Sequence, residues 1–362
     1  MRSLLIILFF VLSAKAHETS GDCHNLIEVN SPISKLAEVG ELYYLVAGDP
    51  VVEDSICIYQ EDDSFYNNYV QNLSKSKDRV SKEINGISFV DENPRLLDAF
   101  SKLTTKVELF SSEAETYSSK CKKVLCAAKE IFGDQLAPRL VYILDKYGLN
   151  GSHLSFKNTS PWTIKELELV INGLRDLPDG MLPIEKNRSL VRHLRGTTYA
   201  MYASRGNCVA ANAELRFFDC WEKIGKDYKK VVTMSHELGH YIGDALDADR
   251  SNEWNEVSGW SSETTFSFGL DLYNTTWSHG ENSCFLSRYA QSNPLEDFAE
   301  TFVSYRYKAD ILKKECPKKY TYMKEHIFNG IEFTKDKNFC DNRKNYIKNE
   351  KQRRMDKLFK LF

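Results

Sequence analysis

The chain has 362 residues, a formal net charge of −3, and 42 % hydrophobic and 12 % aromatic content. That is enough apolar side chain for one large core or two smaller ones. The near-balanced charge excludes a general nucleic-acid or membrane-surface binder, which would carry a marked basic excess.

Residues 1–16, "MRSLLIILFFVLSAKA", carry Arg2, an apolar run from Leu4 to Leu12 and the small-x-small tripeptide Ala14-Lys15-Ala16. This is the pattern of a cleaved secretory signal, and the run covers only about half of a ~30 Å hydrocarbon layer. The expectation is a secreted or periplasmic chain with no transmembrane segment. All nine cysteines lie downstream, scattered and without a C-x-x-C pair, which points to disulfides rather than a cysteine-metal cluster. Cys121 and Cys126 fall in a stretch read as helix, point apart there, and are not expected to pair.

Residues 17 to about 90 read as polar and turn-rich, with short helices. From Pro94, apolar residues at three- and four-residue steps through Leu97, Phe100, Leu103, Val107, Phe110, Ala114, Tyr117, Cys121, Val124 and Ala128 predict one long helix ending at Gly133. A second helix follows up to Gly148. A third is expected from Ser160 as cap and Pro161 in the first turn. "TTYAMYA" (197–203) and "NAELRFFDCW" (212–221) have strand composition, and "NAELRFF" is either a sheet edge open to an extended peptide or an ordinary core strand. Asn72, Asn158 and Asn274 head glycosylation sequons that count only in a eukaryotic source. The basic end, "RKNYIKNEKQRRMDKLFKLF" (343–362), reads as a solvated charged helix end.

The stretch "VVTMSHELGHYIGDALD" (231–247) lies in a helix expected over 227–247. Tyr228, Val231, Val232, Leu238, Ile242, Ala245 and Leu246 form its apolar face, while Thr233, His236, His240 and Asp244 form another stripe. Residues four apart on a helix stand one above the other, so His236 and His240 can converge on one zinc ion. Glu237 is displaced around the helix and suits the role of general base.

A second capped helix is expected in "SRYAQSNPLEDFAETFVSY" (287–305), with Asn293 as cap and Pro294 first. Glu296 and Glu300 share one of its faces. Glu296 is assigned as the third ligand, with Glu300 as its nearest competitor and otherwise the hydrogen-bond partner of a ligating histidine.

H-E-L-G-H followed on a later helix by E-D-F-A-E resembles the glutamate-liganded zincin metallopeptidases. Within them, "RYAQSNPLEDFAETF" is most similar to catalytic domains of the anthrax lethal factor type. The resemblance covers roughly residues 197–330. It implies an α+β fold, a zincin-like domain with a small sheet and two zinc-ligand helices, and the apolar periodicity places a mostly helical N-terminal region before it. It also implies one Zn²⁺, a peptide or protein substrate, Glu300 supporting the site, and Tyr289 as donor to the developing oxyanion. His279 in "WSHGENS" is the rival donor and otherwise a solvated loop histidine. Trp260 in "SGW" lines the cleft or anchors its loop. Cys23 is a candidate cap on the zinc, with disulfide pairing as its commoner fate.

The organisation expected is a signal peptide (1–16), a helical region (17–133), a catalytic domain (134–335) and a basic tail (336–362). The rival readings are a zinc amidase acting on cell-wall peptides and a binding or toxin-delivery protein built on an inactive scaffold. The sequence fixes no oligomeric state.

Overall fold

The computed structural model describes residues 55–333, apart from 106–110, 153–158, 179, 183–187, 194–199, 204–213 and 268–271, together with 346–347. The expected signal peptide, Cys23, Asn158 and most of the basic tail lie outside these residues. Helices dominate, with small sheets between them, a mixed architecture compatible with α+β.

Helix α1 (Asp63–Ser74) is capped by Asp62, whose carboxylate accepts from the Phe65 N–H. A hairpin of β1 (Val80–Ile84) and β2 (Ile87–Glu92) follows, turning on Asn85 and Gly86 at φ 52° and 77°. Two positive φ values in a two-residue turn are what Asn-Gly supplies at little cost.

The single long helix expected from Pro94 is three: α2 (Pro94–Thr104), α3 (Ser111–Lys120) and α4 (Val124–Phe132). Thr104 and Thr105 turn their hydroxyls back onto the carbonyls of Phe100 and Ser101, a competing bond that weakens continuation. Near Cys121 the chain leaves the helix and re-enters at Val124 after an extended Lys123. That corner overturns the expectation for Cys121 and Cys126. Their Cα atoms are 5.4 Å apart and they form a disulfide, because they no longer share a helix.

Helix α5 (Leu136–Tyr147) ends on the left-handed Gly148. Helix α6 (Ile164–Arg175) starts later than expected. Its cap is Thr163 in a reciprocal capping box with Glu166, while the Ser160 N–H is spent on the Arg192 carbonyl.

The main sheet has four strands: β3 (Leu149–Asn150), β4 (Arg188–Arg192), β5 (Ala200–Ala203) and β6 (Glu214–Phe217), in the order β3-β4-β6-β5. The first three neighbours run parallel and β5 is antiparallel to β6. Glu214–Phe217, the described part of the "NAELRFF" strand, is therefore interior, hydrogen-bonded on both sides, and the edges of the sheet are β3 and β5.

Helix α7 (Asp227–Ala245) buries Tyr228, Val231, Val232, Leu238 and Ile242, and stops short of Leu246, which is exposed. Then come α8 (Asn252–Ser258), a hairpin of β7 (Trp260–Ser267) and β8 (Leu272–His279), a 3-10 turn (Tyr289–Gln291) and α9 (Pro294–Tyr307). Short helices α10 (Ala309–Glu315) and α11 (Pro317–Tyr322) follow, with β9 (Glu332–Phe333) and β10 (Tyr346–Ile347) paired antiparallel. Tyr346 and Ile347 thus form a strand where a helix end was expected.

One apolar cluster runs from Tyr66 on α1 to Phe333 on β9, so the N-terminal helices and the later elements share a core. A second disulfide, Cys284–Cys316, spans α9, and Cys57 is also disulfide-bonded. Among the described residues, no helix is long and apolar enough to cross a membrane.

Candidate metal centre

Helices α7 and α9 cross where α7 carries glycine. A Cβ at Gly239 would lie 3.0 Å from the Ala299 Cα, and one at Gly243 only 2.8 Å from the Asp249 Cβ and 3.0 Å from Phe298 Cε1. These glycines let two backbones approach closely enough for side chains on both to meet. The start of α9 is fixed by Asn293, which accepts from the N–H groups of Leu295 and Glu296, and by the Trp254 indole, which donates to the Pro294 carbonyl.

At this crossing the structure gathers His236, His240 and Glu296, with one donor atom from each within 4.8 Å of the others. His236 Nε2 lies 3.1 Å from Glu296 Oε2 and 3.1 Å from His240 Nε2, and His240 Nε2 lies 3.2 Å from Glu296 Oε2. On its other side, His236 Nδ1 lies 3.0 Å from Glu300 Oε1. A proton on Nδ1, donated to that carboxylate, leaves the Nε2 lone pair facing the triangle.

The donor set fits a zinc ion. Tetrahedral coordination at about 2.0–2.2 Å sets neighbouring donors roughly 3.3 Å apart, close to the observed triangle. Two imidazoles and one carboxylate are also ligand types that zinc takes.

The electrostatics agree with a cation site. Burial opposes charge on His236, yet its hydrogen bonds to Glu296 and Glu300 raise its pKa well above the usual value. Burial likewise opposes charge on Glu296, but the charge of His240 and the hydrogen bond to His236 hold its pKa well below the carboxylate range. The cluster is built to hold positive charge in a buried place.

Glu237 is buried next to His236. Tyr289, in the 3-10 turn before α9, sets its ring 5.7 Å from the His236 ring. Trp260 is buried, and its indole N–H is donated to Asp297, so it anchors β7 beneath α9. His279 is exposed and packs edge-on against Trp260 and Phe285.

Two buried supports escape sequence reading. Asp297 receives Lys319 at 2.6 and 2.7 Å as well as Trp260. Asp176, just after α6, accepts from Arg306 and Tyr307, and Tyr307 also bonds Ser235 beside His236. Neither partnership has a short-range signal, because the members come from separate elements.

A family model described as "Putative zinc-binding metallo-peptidase" matches residues 211–353, a span that contains both helices of the cluster. No curated protein and no solved structure matches the chain. The family match supports a zinc-binding metallopeptidase.

Proposed function

We propose that this chain is an exported endopeptidase of the glutamate-liganded zincin kind, in which His236, His240 and Glu296 hold one zinc ion. The observation that carries the reading is the convergence of His236 Nε2, His240 Nε2 and Glu296 Oε2 from two crossing helices. A bound zinc ion supplies Lewis acidity, polarising a carbonyl and acidifying water.

The chain's own residues do the rest. Glu237 takes a proton from the attacking water and returns it to the leaving amine, the usual work of a buried carboxylate in this position. Tyr289 donates its phenol hydrogen to the oxygen that gains charge, a contact typically worth about 2.7–4 kcal/mol. Glu300 holds His236 in the tautomer that turns Nε2 inward. The signal-like segment and the disulfides support an oxidising destination.

The deciding experiment compares the purified chain with Glu237→Gln for zinc content and for hydrolysis of unfolded protein and of peptidoglycan peptides. Both forms should carry about one zinc, and the variant should cleave protein about 10²–10⁴-fold more slowly. Undiminished cleavage by the zinc-loaded variant overturns the mechanism, and cleavage confined to cell-wall peptides moves the substrate class.

A further inference from the structure

A cavity of about 260 Å³, whose lining includes none of His236, His240 and Glu296, lies between the last turns of α5 and α6, the residues around Tyr59 and the segment after Asp176. It approaches the volume at which pockets take small organic ligands, typically about 300 Å³ upward. Its walls combine Phe65, Leu177 and Leu182 with two cations, Arg175 and Lys146.

Arg175 is largely buried. Its Nη1 lies 3.3 Å from Glu61, but its Nη2 is buried with no hydrogen-bond partner. The guanidinium carbon also lies 5.0 and 5.8 Å from the ring centres of Phe65 and Tyr142, so ring faces meet part of the charge while the buried Nη2 still has no acceptor in hydrogen-bond geometry, an unfavourable state unless something fills it. Lys146 reaches the Tyr142 hydroxyl at 3.4 Å and lies 5.6 and 5.3 Å from the ring centres of Tyr142 and Tyr147, and no described carboxylate lies within ion-pair distance of it. Asp176, the acid in the wall, is already bonded by Arg306 and Tyr307.

Basic residues in last helical turns often serve the terminal carbonyls. Here neither side chain hydrogen-bonds one, so that role does not account for them. Tyr142 senses the same imbalance. Burial opposes its ionisation, yet the Tyr147 hydroxyl, the charges of Arg175 and Lys146 and the approach of the Arg175 guanidinium to its hydroxyl hold its pKa below the ordinary phenol value.

We propose that this cavity binds a small organic monoanion, a carboxylate answered by Arg175 and Lys146 with an apolar body against Phe65, Leu177 and Leu182. One uncompensated charge and few free donors suit a carboxylate better than a phosphate dianion, which asks for more of both. A free acid and the C-terminal carboxylate of a peptide present the same chemistry.

The test is calorimetric titration of the intact protein with 3-phenylpropionate and with its neutral amide, and with a tripeptide ending in phenylalanine as acid and as amide. One or both acids should bind saturably at one site, at least about tenfold tighter than the matching amide. Which acid binds distinguishes the source. Lys146 is exposed, so Lys146→Met should keep the melting temperature while weakening acid binding at least tenfold, and Arg175→Gln should weaken it similarly. Equal binding of acid and amide, no binding up to about 10 mM, or unchanged binding in Lys146→Met overturns the site. The metal centre takes no part in this measurement, so its outcome is independent of the peptidase reading.

Discussion

Lys319 places its ammonium 2.6 and 2.7 Å from the two carboxylate oxygens of Asp297, with both side chains almost wholly buried. Asp297 follows Glu296 on α9 and holds Trp260 through the indole, so the pair fixes the rotation of the helix that presents the carboxylate side of the site. Lys319→Met would strand a buried charge, and a loss of about 3–5 kcal/mol is expected. The double variant with Asp297→Asn should recover most of it. Urea unfolding of the three proteins reads the effect, and a double variant no better than the single one refutes the pairing argument.

Glu296 and Glu300 stand one helical turn apart but face opposite nitrogens of His236. Glu296→Ala should abolish zinc retention on gel filtration. Glu300→Ala, which removes only the support behind the ring, should weaken zinc about 10–100-fold. Competition against a chromophoric chelator separates these outcomes, and equal losses would mean that the two roles are assigned wrongly.

Gly243 faces Asp249 and Phe298 at distances no methyl group can keep. Gly243→Ala gains up to about 1 kcal/mol of helix propensity but forces the packing apart, for a net loss of about 1–3 kcal/mol. A rise in melting temperature would show that the crossing is looser than its geometry.

Asp249 is buried, and burial lifts its pKa to about 6, with Arg250 and His240 pulling the other way. Since the folded value exceeds the unfolded one, its contribution is fully present below about pH 4 and is lost as pH rises through about 6. In chelator-treated protein, Asp249→Asn should therefore match the parent near pH 4 and be the more stable near pH 8, by no more than about 3 kcal/mol. Identical pH profiles for the two proteins exclude Asp249 as the source.

Local rules read much of the fold directly. The 3.6-residue pattern from Tyr228 to Ile242 marks α7, Asn293-Pro294 marks the start of α9, and Gly133 and Gly148 mark helix ends. Helical periodicity cannot see the breaks after Thr104 and near Cys121, because short gaps preserve the apolar phase. Ser160-Pro161 and Thr163-Glu166 are competing starts three residues apart, decided by the backbone bond that Ser160 makes to Arg192. Asn85-Gly86 carries a hairpin signal inside a region read only as turn-rich. At the site, spacing points to His236, His240, Glu296 and Glu300, because each pair lies within one helix. The Lys319–Asp297 and Asp176–Tyr307–Ser235 supports need the folded chain to be seen.

The Cys284–Cys316 bond closes a loop that holds Tyr289, Glu296 and Glu300, whereas His236 and His240 lie outside it. The acidic half of the cluster therefore sits inside a covalent loop of its own, joined to the imidazole half only by packing and hydrogen bonds. Opening that loop widens the conformational freedom of the unfolded chain on the acidic side alone. Reduced protein should accordingly hold zinc less tightly than oxidised protein, which competition against a chelator reads.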